Sequence, residues 1–85
     1  MSVVAQIRDL LENEKDFKFH AEMSNDESLI EQGVVDSFGM ITFVVLLEKA
    51  FGITVEPEDM SQDGFRSVTT IAGYVEGKLN GGDRG

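Results

Sequence analysis

The side chain with the clearest capacity for chemistry is Ser37, at the start of a long apolar segment. Asp36 precedes it and is predicted to cap a helix, because its carboxylate can accept from the free N–H groups of a first turn. Ser37 would then lie in that turn with its hydroxyl towards solvent. Since a helix N-terminus favours negative charge, a phosphodiester built on the Ser37 oxygen would be stabilised there.

Ser37 is not predicted to be a catalytic nucleophile. A serine nucleophile needs a general base, a group that orients the base and usually an oxyanion hole. The sequence has a single histidine, His20, with no partner spaced for it, and it has no Gly-x-Ser-x-Gly motif. We therefore interpret His20 as a loop histidine and exclude a hydrolase.

A calcium-binding loop over 59–70 is an alternative from a different class. Positions 1, 3, 5 and 6 of such an EF-hand-like loop would be Asp59, Ser61, Asp63 and Gly64. Its last position would be Thr70, which cannot supply the required bidentate carboxylate, and Arg66 would place positive charge inside the loop. We therefore expect no metal site.

Composition bounds the class of protein. A chain of 85 residues makes one small domain, and its sixteen acidic against seven basic residues give a net charge of −9. The negative electrostatic potential of such a chain disfavours binding to nucleic acids and anionic membranes and favours binding to basic patches on other proteins. The sequence has no cysteine, so thioester chemistry would need an imported thiol. Without an evident signal peptide or membrane span, we expect a soluble, cytoplasmic monomer.

Helical spacing of apolar residues predicts three main helices. The first covers 2–15, capped by Ser2, with an apolar stripe of Val3, Val4, Ile7, Leu10 and Leu11. The second runs from Ser37 to residue 50 or 51 and is ended by Gly52. The third follows Ser67 as its cap, with a stripe of Val68, Ile71, Ala72, Val75 and Leu79. We predict an all-α, small right-turning bundle with one further short helix.

The connections between these helices differ in length. Residues 16–35 lack a sustained helical period, and we expect this long first loop to be pinned to the core by Phe17, Phe19, Leu29, Ile30 and Val35. After the second helix, Ile53 and Val55 continue the core, Pro57 starts a new turn, and a one-turn helix is expected near 64–66. The domain is predicted to cover 1–79, with a disordered tail over 80–85.

The second helix is apolar on both sides. Turned at about 100° per residue, it places Met40, Phe43, Val44, Leu47, Ala50 and Phe51 on one side. The opposite side carries Phe38, Ile41, Thr42, Val45 and Lys49. Because so short a chain cannot cover this helix completely, we assign the first set to the core and the second to an exposed contact surface.

Several of these segments resemble acyl carrier proteins. The resemblance rests on Asp36-Ser37, on Leu47-Glu48 and on Phe51-Gly-Ile-Thr-Val55. The loop ending Asp26-Glu-Ser-Leu-Ile-Glu-Gln-Gly33 and the entry to the last helix, Phe65-Arg-Ser-Val-x-x-Ile71, also look like those of this family. Together they span nearly the whole chain.

The resemblance implies that Ser37, beside Asp36, carries 4′-phosphopantetheine, attached from coenzyme A by a phosphopantetheinyl transferase. The terminal thiol of that arm would hold an acyl group as a thioester. The chain would not be an enzyme; its other partners would be an acyl- or aminoacyl-loading ligase and a downstream acyltransferase or synthase. The contact residues implied are Phe38, Ile41, Thr42, Val45 and Glu48.

The cargo is less closely defined. Primary fatty-acid carriers usually have acidic residues along the exposed side of this helix, where this chain has Gly39, Thr42 and Lys49 and retains Glu48. Its Val34-Val-Asp-Ser-Phe-Gly39 run looks more like the Leu-Leu-Asp-Ser-Met-Gly of stand-alone D-alanyl carriers. We favour an aminoacyl or specialised acyl carrier, with a fatty-acyl carrier of a dedicated lipid pathway as the alternative.

Overall fold

Three α-helices form a bundle in the computed structural model, which describes residues 2–61 and 63–80. Helix α1 spans Val3–Asn13, α2 spans Ser37–Phe51 and α3 spans Val68–Leu79. Helix α1 packs against both α2 and α3, and no strand occurs within the described ranges. The predicted all-α bundle with a long first loop is confirmed.

Each α-helix begins at the predicted side-chain cap. The Ser2 hydroxyl accepts from the Ala5 N–H at 3.0 Å, and Asp36 and Ser67 do the same for α2 and α3. Helix α2 ends at Gly52, whose φ of 67° is left-handed. Glycine adopts this conformation without the steric penalty of a Cβ atom, which makes it a common helix terminator.

The core lies between the three helices and the loop that covers them. The helices contribute Ile7, Leu11, Met40, Phe43, Val44, Leu47, Val68, Ile71, Ala72 and Val75. The connections contribute Phe17, Met23, Leu29, Val34, Val35, Ile53, Val55 and Phe65. Phe19 and Phe51 pack against this core while partly exposed. Most of the predicted inner face of α2 and most of the predicted loop anchors are therefore confirmed.

Three residues assigned to the core are exposed instead. Leu79 is 48% exposed, because the last buried residue of α3 is Val75 and the final turn extends beyond the core. Ala50, in the last turn of α2, is also exposed, although its neighbour Phe51 packs against the core. Ile30 is 52% exposed while its neighbour Leu29 is buried, since the turn between them directs only one of the two side chains inwards.

Arg8 of α1 holds the long first loop in place. Its guanidinium donates to the carbonyl oxygens of Met23 at 2.9 Å and Ala21 at 2.8 Å, and to Asn25 Oδ1 at 2.6 Å. It also lies over the Phe19 ring, 4.8 Å from the centroid. These contacts explain how a loop without helical structure is held against the bundle.

Two 3-10 helices, Pro57–Ser61 and Asp63–Phe65, precede α3 where one short helix was predicted near 64–66. The Tyr74 hydroxyl of α3 donates to Asp59 Oδ2 at 2.7 Å, which ties this segment to α3. Burial, reinforced by this hydrogen bond, raises the pKa of Tyr74 to about 12.

Within 2–61 and 63–80, no helix combines the length and apolar character needed to cross a bilayer. The predicted tail over 80–85 lies outside the described residues from position 81 onwards.

Candidate functional site

The start of α2 is fixed by Asp36. This residue has extended backbone, and its Oδ1 accepts from the Gly39 N–H at 2.6 Å, while its carbonyl accepts from the Met40 N–H at 2.9 Å. The predicted helix cap is confirmed. Because the carboxylate is engaged in capping, it determines where the next residue, Ser37, enters the helix.

Ser37 lies in the first turn of α2 and is exposed, as predicted. No residue in the described ranges forms a hydrogen bond with its hydroxyl. The first-turn N–H groups of a helix point outwards and carry partial positive charge. The Ser37 oxygen is therefore accessible, has no internal hydrogen bond within the described ranges, and lies where a negative group is stabilised.

Gly39 allows close packing beneath this turn. A Cβ atom at this position would lie 3.2 Å from Asp36 Oδ1 and 3.3 Å from Val35 Cβ. Both separations are tighter than ordinary van der Waals contact, so a side chain would displace the cap or the buried valine. The absence of an acidic side chain here thus has a packing reason as well as a consequence for surface charge.

An open groove of about 620 Å³ lies beside Ser37. This volume is within the range typical of small-molecule sites, roughly 300–1,000 Å³. Its lining residues come from the start of the first loop, the end of that loop and the first turns of α2. They are Asp16, Phe17, Lys18, Ile30, Gly33, Val34, Val35, Asp36, Ser37, Phe38, Gly39 and Thr42.

Two contacts bring the start of the loop to this groove. The Phe17 ring packs edge-on against Phe43 of α2, with centroids 5.9 Å apart. The Lys18 N–H donates to the Val34 carbonyl at 3.1 Å. The backbone of Lys18 is therefore held beside the residues that lead into α2, and Lys18 lines the same groove as Ser37.

An apolar strip continues from Ser37 along the outer side of α2. It consists of Phe38, Ile41 and Val45, which are 81%, 52% and 41% exposed. Thr42 and Lys49 are also exposed, so the predicted rotation of α2 is confirmed. Exposed apolar surface of this kind is typical of sites that contact another molecule.

Glu48 has an internal role that its sequence position did not indicate. Its Oε2 accepts from the Val55 N–H at 2.8 Å, and its carbonyl accepts from the Gly52 N–H at 2.9 Å. The side chain is half-buried. It therefore stabilises the turn that follows α2.

His20 is exposed, and its Nδ1 lies 3.9 Å from Glu22 Oε1. It does not line the groove beside Ser37. The structure thus places the single histidine of the sequence where the loop interpretation predicts, apart from the serine.

The ends of the alternative calcium loop are occupied by internal contacts. Asp59 accepts from Tyr74, and Thr70 Oγ1 accepts from the Ser67 N–H at 2.9 Å. The side chains of Ser61 and Asp63 lie outside the described part of the chain. Among the described residues, no cluster of three His, Cys, Asp or Glu side chains is arranged to hold a metal ion.

Comparison with known proteins identifies the family of this chain. The family model described as "Phosphopantetheine attachment site" matches residues 2–75. The chain belongs to this family. The resemblance to acyl carrier proteins, which are phosphopantetheine-bearing proteins, is confirmed, and the covalent cofactor of the attachment-site family is 4′-phosphopantetheine.

Curated relatives include two bacterial D-alanyl carrier proteins. The protein from Streptococcus pyogenes serotype M5 (strain Manfredo) is 39% identical over 51 residues, which cover 60% of this chain and 65% of the relative. That from Lactococcus lactis subsp. cremoris (strain MG1363) is 34% identical over 55 residues, covering 65% of this chain and 70% of the relative. The match thus spans a little under two thirds of the streptococcal relative's length. No solved structure matches the chain significantly.

The residues at the start of α2 fit the cofactor of the attachment-site family. The accessible hydroxyl of Ser37 can form the phosphodiester, the helix N-terminus suits its charge, and the adjacent groove has both apolar and polar walls. When bound, the group supplies a terminal thiol that can hold an acyl group as a thioester. Family members of this kind leave the transformation of the acyl group to other proteins, so no catalytic role is assigned to Ser37.

Sequence reasoning missed Lys18 and the outward position of Ile30 at this site. Both lie in the long loop, where no helical period predicts which side chains face inwards. The backbone contact between Lys18 and Val34, which brings the two ends of the loop together, has no sequence signature.

Proposed function

We propose that Ser37 is the position to which 4′-phosphopantetheine is attached, and that the chain carries an aminoacyl group on it. The first candidate for this group is D-alanine. The observation that supports the attachment most directly is the exposed Ser37 hydroxyl, without an internal partner, at the capped start of α2. The candidate cargo rests on the two D-alanyl carrier relatives.

The chain's own residues have defined roles in this proposal. A phosphopantetheinyl transferase would move the group from coenzyme A to Ser37 Oγ. Asp36 positions that oxygen by capping α2 through the Gly39 N–H. Because the N-terminus of α2 carries partial positive charge, it offsets the charge of the new phosphodiester in a protein of net charge −9.

The apolar strip is the proposed contact surface for the transferase, for a loading ligase and for a downstream acyltransferase or synthase. Its members Phe38, Ile41 and Val45, with Thr42 beside them, follow Ser37 along α2, where a partner must lie to reach the arm. After Asp36, α2 contains one acidic and one basic residue, Glu48 and Lys49. Recognition would therefore rest on apolar burial more than on charge. Glu48 also belongs to the proposed contact surface, because only one of its two carboxylate oxygens accepts from the Val55 N–H.

A fatty-acyl cargo is less well supported. The outer side of α2 has Thr42 and Lys49 in places where fatty-acid carriers usually have acidic residues, and the curated relatives reported above are named for D-alanine. We also propose that the chain is cytoplasmic and monomeric. A lipid or secondary-metabolite pathway belongs to the alternative in which the cargo is a different acyl group.

A loading experiment tests attachment and cargo together. The chain is first treated with coenzyme A, magnesium and a phosphopantetheinyl transferase. It is then offered D-alanine with ATP and a D-alanine-activating ligase, or a fatty acid with an acyl-loading synthetase. Intact-mass spectrometry should show the D-alanyl mass on the modified chain, released by hydroxylamine as expected for a thioester.

Ser24→Ala is the matched control, because Ser24 is another exposed serine, whose hydroxyl accepts from the Asp26 N–H in a local turn. It should load like the natural chain, whereas Ser37→Ala should not load. Efficient loading by the fatty-acid synthetase with none by the D-alanine ligase would reverse the assignment of the cargo.

A further inference from the structure

We propose that the groove beside Ser37 is a docking site for the phosphopantetheine arm, and that Lys18 binds the arm's phosphodiester there. This inference rests on the proposed attachment at Ser37. It goes further because it gives the arm a defined resting position on the protein between encounters with partner enzymes.

Continuity with the attachment point identifies the occupant. Ser37 is itself a lining residue of the groove, so a group bonded to its oxygen begins at the groove wall. The groove volume of about 620 Å³ suits a flexible small molecule. An arm anchored at the wall would also have a high effective concentration in the groove, since docking is then intramolecular.

Charge supports the same occupant. A protein of net charge −9 opposes a phosphate over most of its surface. Of the residues that line the groove, Lys18 is the cation, and Asp16 and Asp36 are the acids; the Asp36 carboxylate is engaged with the Gly39 N–H. The Lys18 ammonium forms no ion pair or hydrogen bond with any residue in the described ranges, and its backbone is fixed by the Val34 carbonyl. It is therefore available to an anion at Ser37.

The rest of the groove matches the chemistry of pantetheine, which contains a dimethyl-substituted carbon, a neighbouring hydroxyl and two amides. Phe17, Ile30 and Phe38 supply apolar walls, and Thr42 supplies a hydroxyl. Ile30 is exposed and lines the groove, which places an aliphatic residue where the dimethyl group can contact it.

Nuclear magnetic resonance of the modified chain tests the docking. Once mass spectrometry has placed the group on Ser37, the arm's methyl groups should show Overhauser contacts to Ile30 and Phe38. Lys18→Gln should shift the phosphorus resonance and weaken those contacts. Lys15→Gln is the matched control, because Lys15 is also exposed but does not line the groove; it should change neither. Absence of arm-to-groove contacts in the modified natural chain would overturn the proposal.

A titration separates this proposal from the attachment itself. Free 4′-phosphopantetheine and phosphate-free pantetheine are each added to Ser37→Ala, which cannot be modified at this position. The phosphorylated probe should shift amide resonances of the groove, and adding Lys18→Gln should weaken its binding about two- to five-fold, as for an exposed ion pair. Binding of pantetheine should not change. No shift of groove resonances with either probe would refute the docking site even if attachment at Ser37 holds. Attachment at another residue would refute the proposed function, whatever the titration shows.

Discussion

Helices α2 and α3 both begin with a side-chain cap and a serine. In α3 the serine is the cap, whereas in α2 it follows the cap. At α3, Ser67 is the cap itself and is 1% exposed. Its hydroxyl and that of Thr70 each accept from the other residue's N–H in a capping box. At α2, the cap is Asp36, and the following Ser37 is exposed with no internal partner.

The long first loop accounts for the difference. It covers the start of α3, where the Thr69 N–H donates to the Asn25 carbonyl at 3.0 Å and the Leu29 N–H donates to the Arg66 carbonyl at 2.9 Å. At α2 the same loop leads into the helix and leaves a groove beside it. Ser67 is thus a structural serine covered by neighbouring backbone, whereas Ser37 is left exposed beside the groove.

The largest expected effect on stability distinguishes the buried side of α2 from its exposed side. Phe43→Ala should destabilise the fold by about 3–5 kcal/mol, because Phe43 is 0% exposed and its loss leaves a cavity. Phe38→Ala should change stability by less than about 0.5 kcal/mol, as for most surface substitutions, while it lowers the rate of loading by a partner enzyme. Denaturant melts and loading rates for both variants check this. If Phe38→Ala unfolds the chain and Phe43→Ala does not, the assignment of the two faces is wrong.

The next effect compares the serines directly. Ser67→Ala should destabilise the fold by about 0.5–2 kcal/mol through loss of the helix cap. Ser37→Ala should lie within about 0.5 kcal/mol of the natural chain, measured by the same melts. Asp36→Ala serves as the control and should behave like Ser67→Ala, because Asp36 caps α2. Equal losses of stability for Ser37→Ala and Ser67→Ala would show that Ser37 has a structural role like that of Ser67.

The last effect appears only at high pH and concerns the segment before α3, where the Tyr74 hydroxyl donates to Asp59. The pKa of Tyr74 is raised from 10.0 to about 12 by burial and by this hydrogen bond. A raised pKa means that the folded state retains a proton that the unfolded state releases, so the contribution to stability is complete below pH 10 and declines towards pH 12.

Tyr74 is the single tyrosine of the sequence, so ultraviolet absorbance of tyrosinate follows it without interference. The natural chain should lose more stability than Tyr74→Phe between pH 10 and 12. Titration of Tyr74 at its ordinary pKa, or identical pH profiles for the two chains, would contradict this contact.

Much of this architecture follows from local sequence patterns. The period of apolar residues identified the three helices, and Ser2, Asp36 and Ser67 identified where they begin, because caps and amphipathic spacing are local properties. The inner and outer faces of α2 followed from simple rotation about the helix axis.

Contacts between distant segments could not be predicted in this way. The exposure of Ile30 and Leu79 depends on where the core ends, and the internal contact of Glu48 depends on the turn after α2. The groove requires the start of the long loop to meet its end through Lys18 and Val34, a tertiary arrangement for which the sequence has no period or motif.

The central claim is that Ser37, and not the helix-capping Ser67, carries the cofactor. Its most direct test is to treat the chain with coenzyme A and a phosphopantetheinyl transferase, digest it, and fragment the peptides that contain Ser37 and Ser67 by mass spectrometry. We expect one phosphopantetheine group, confined to Ser37, with Ser67 unmodified. A group on any other residue, or none with several active transferases, would contradict the account.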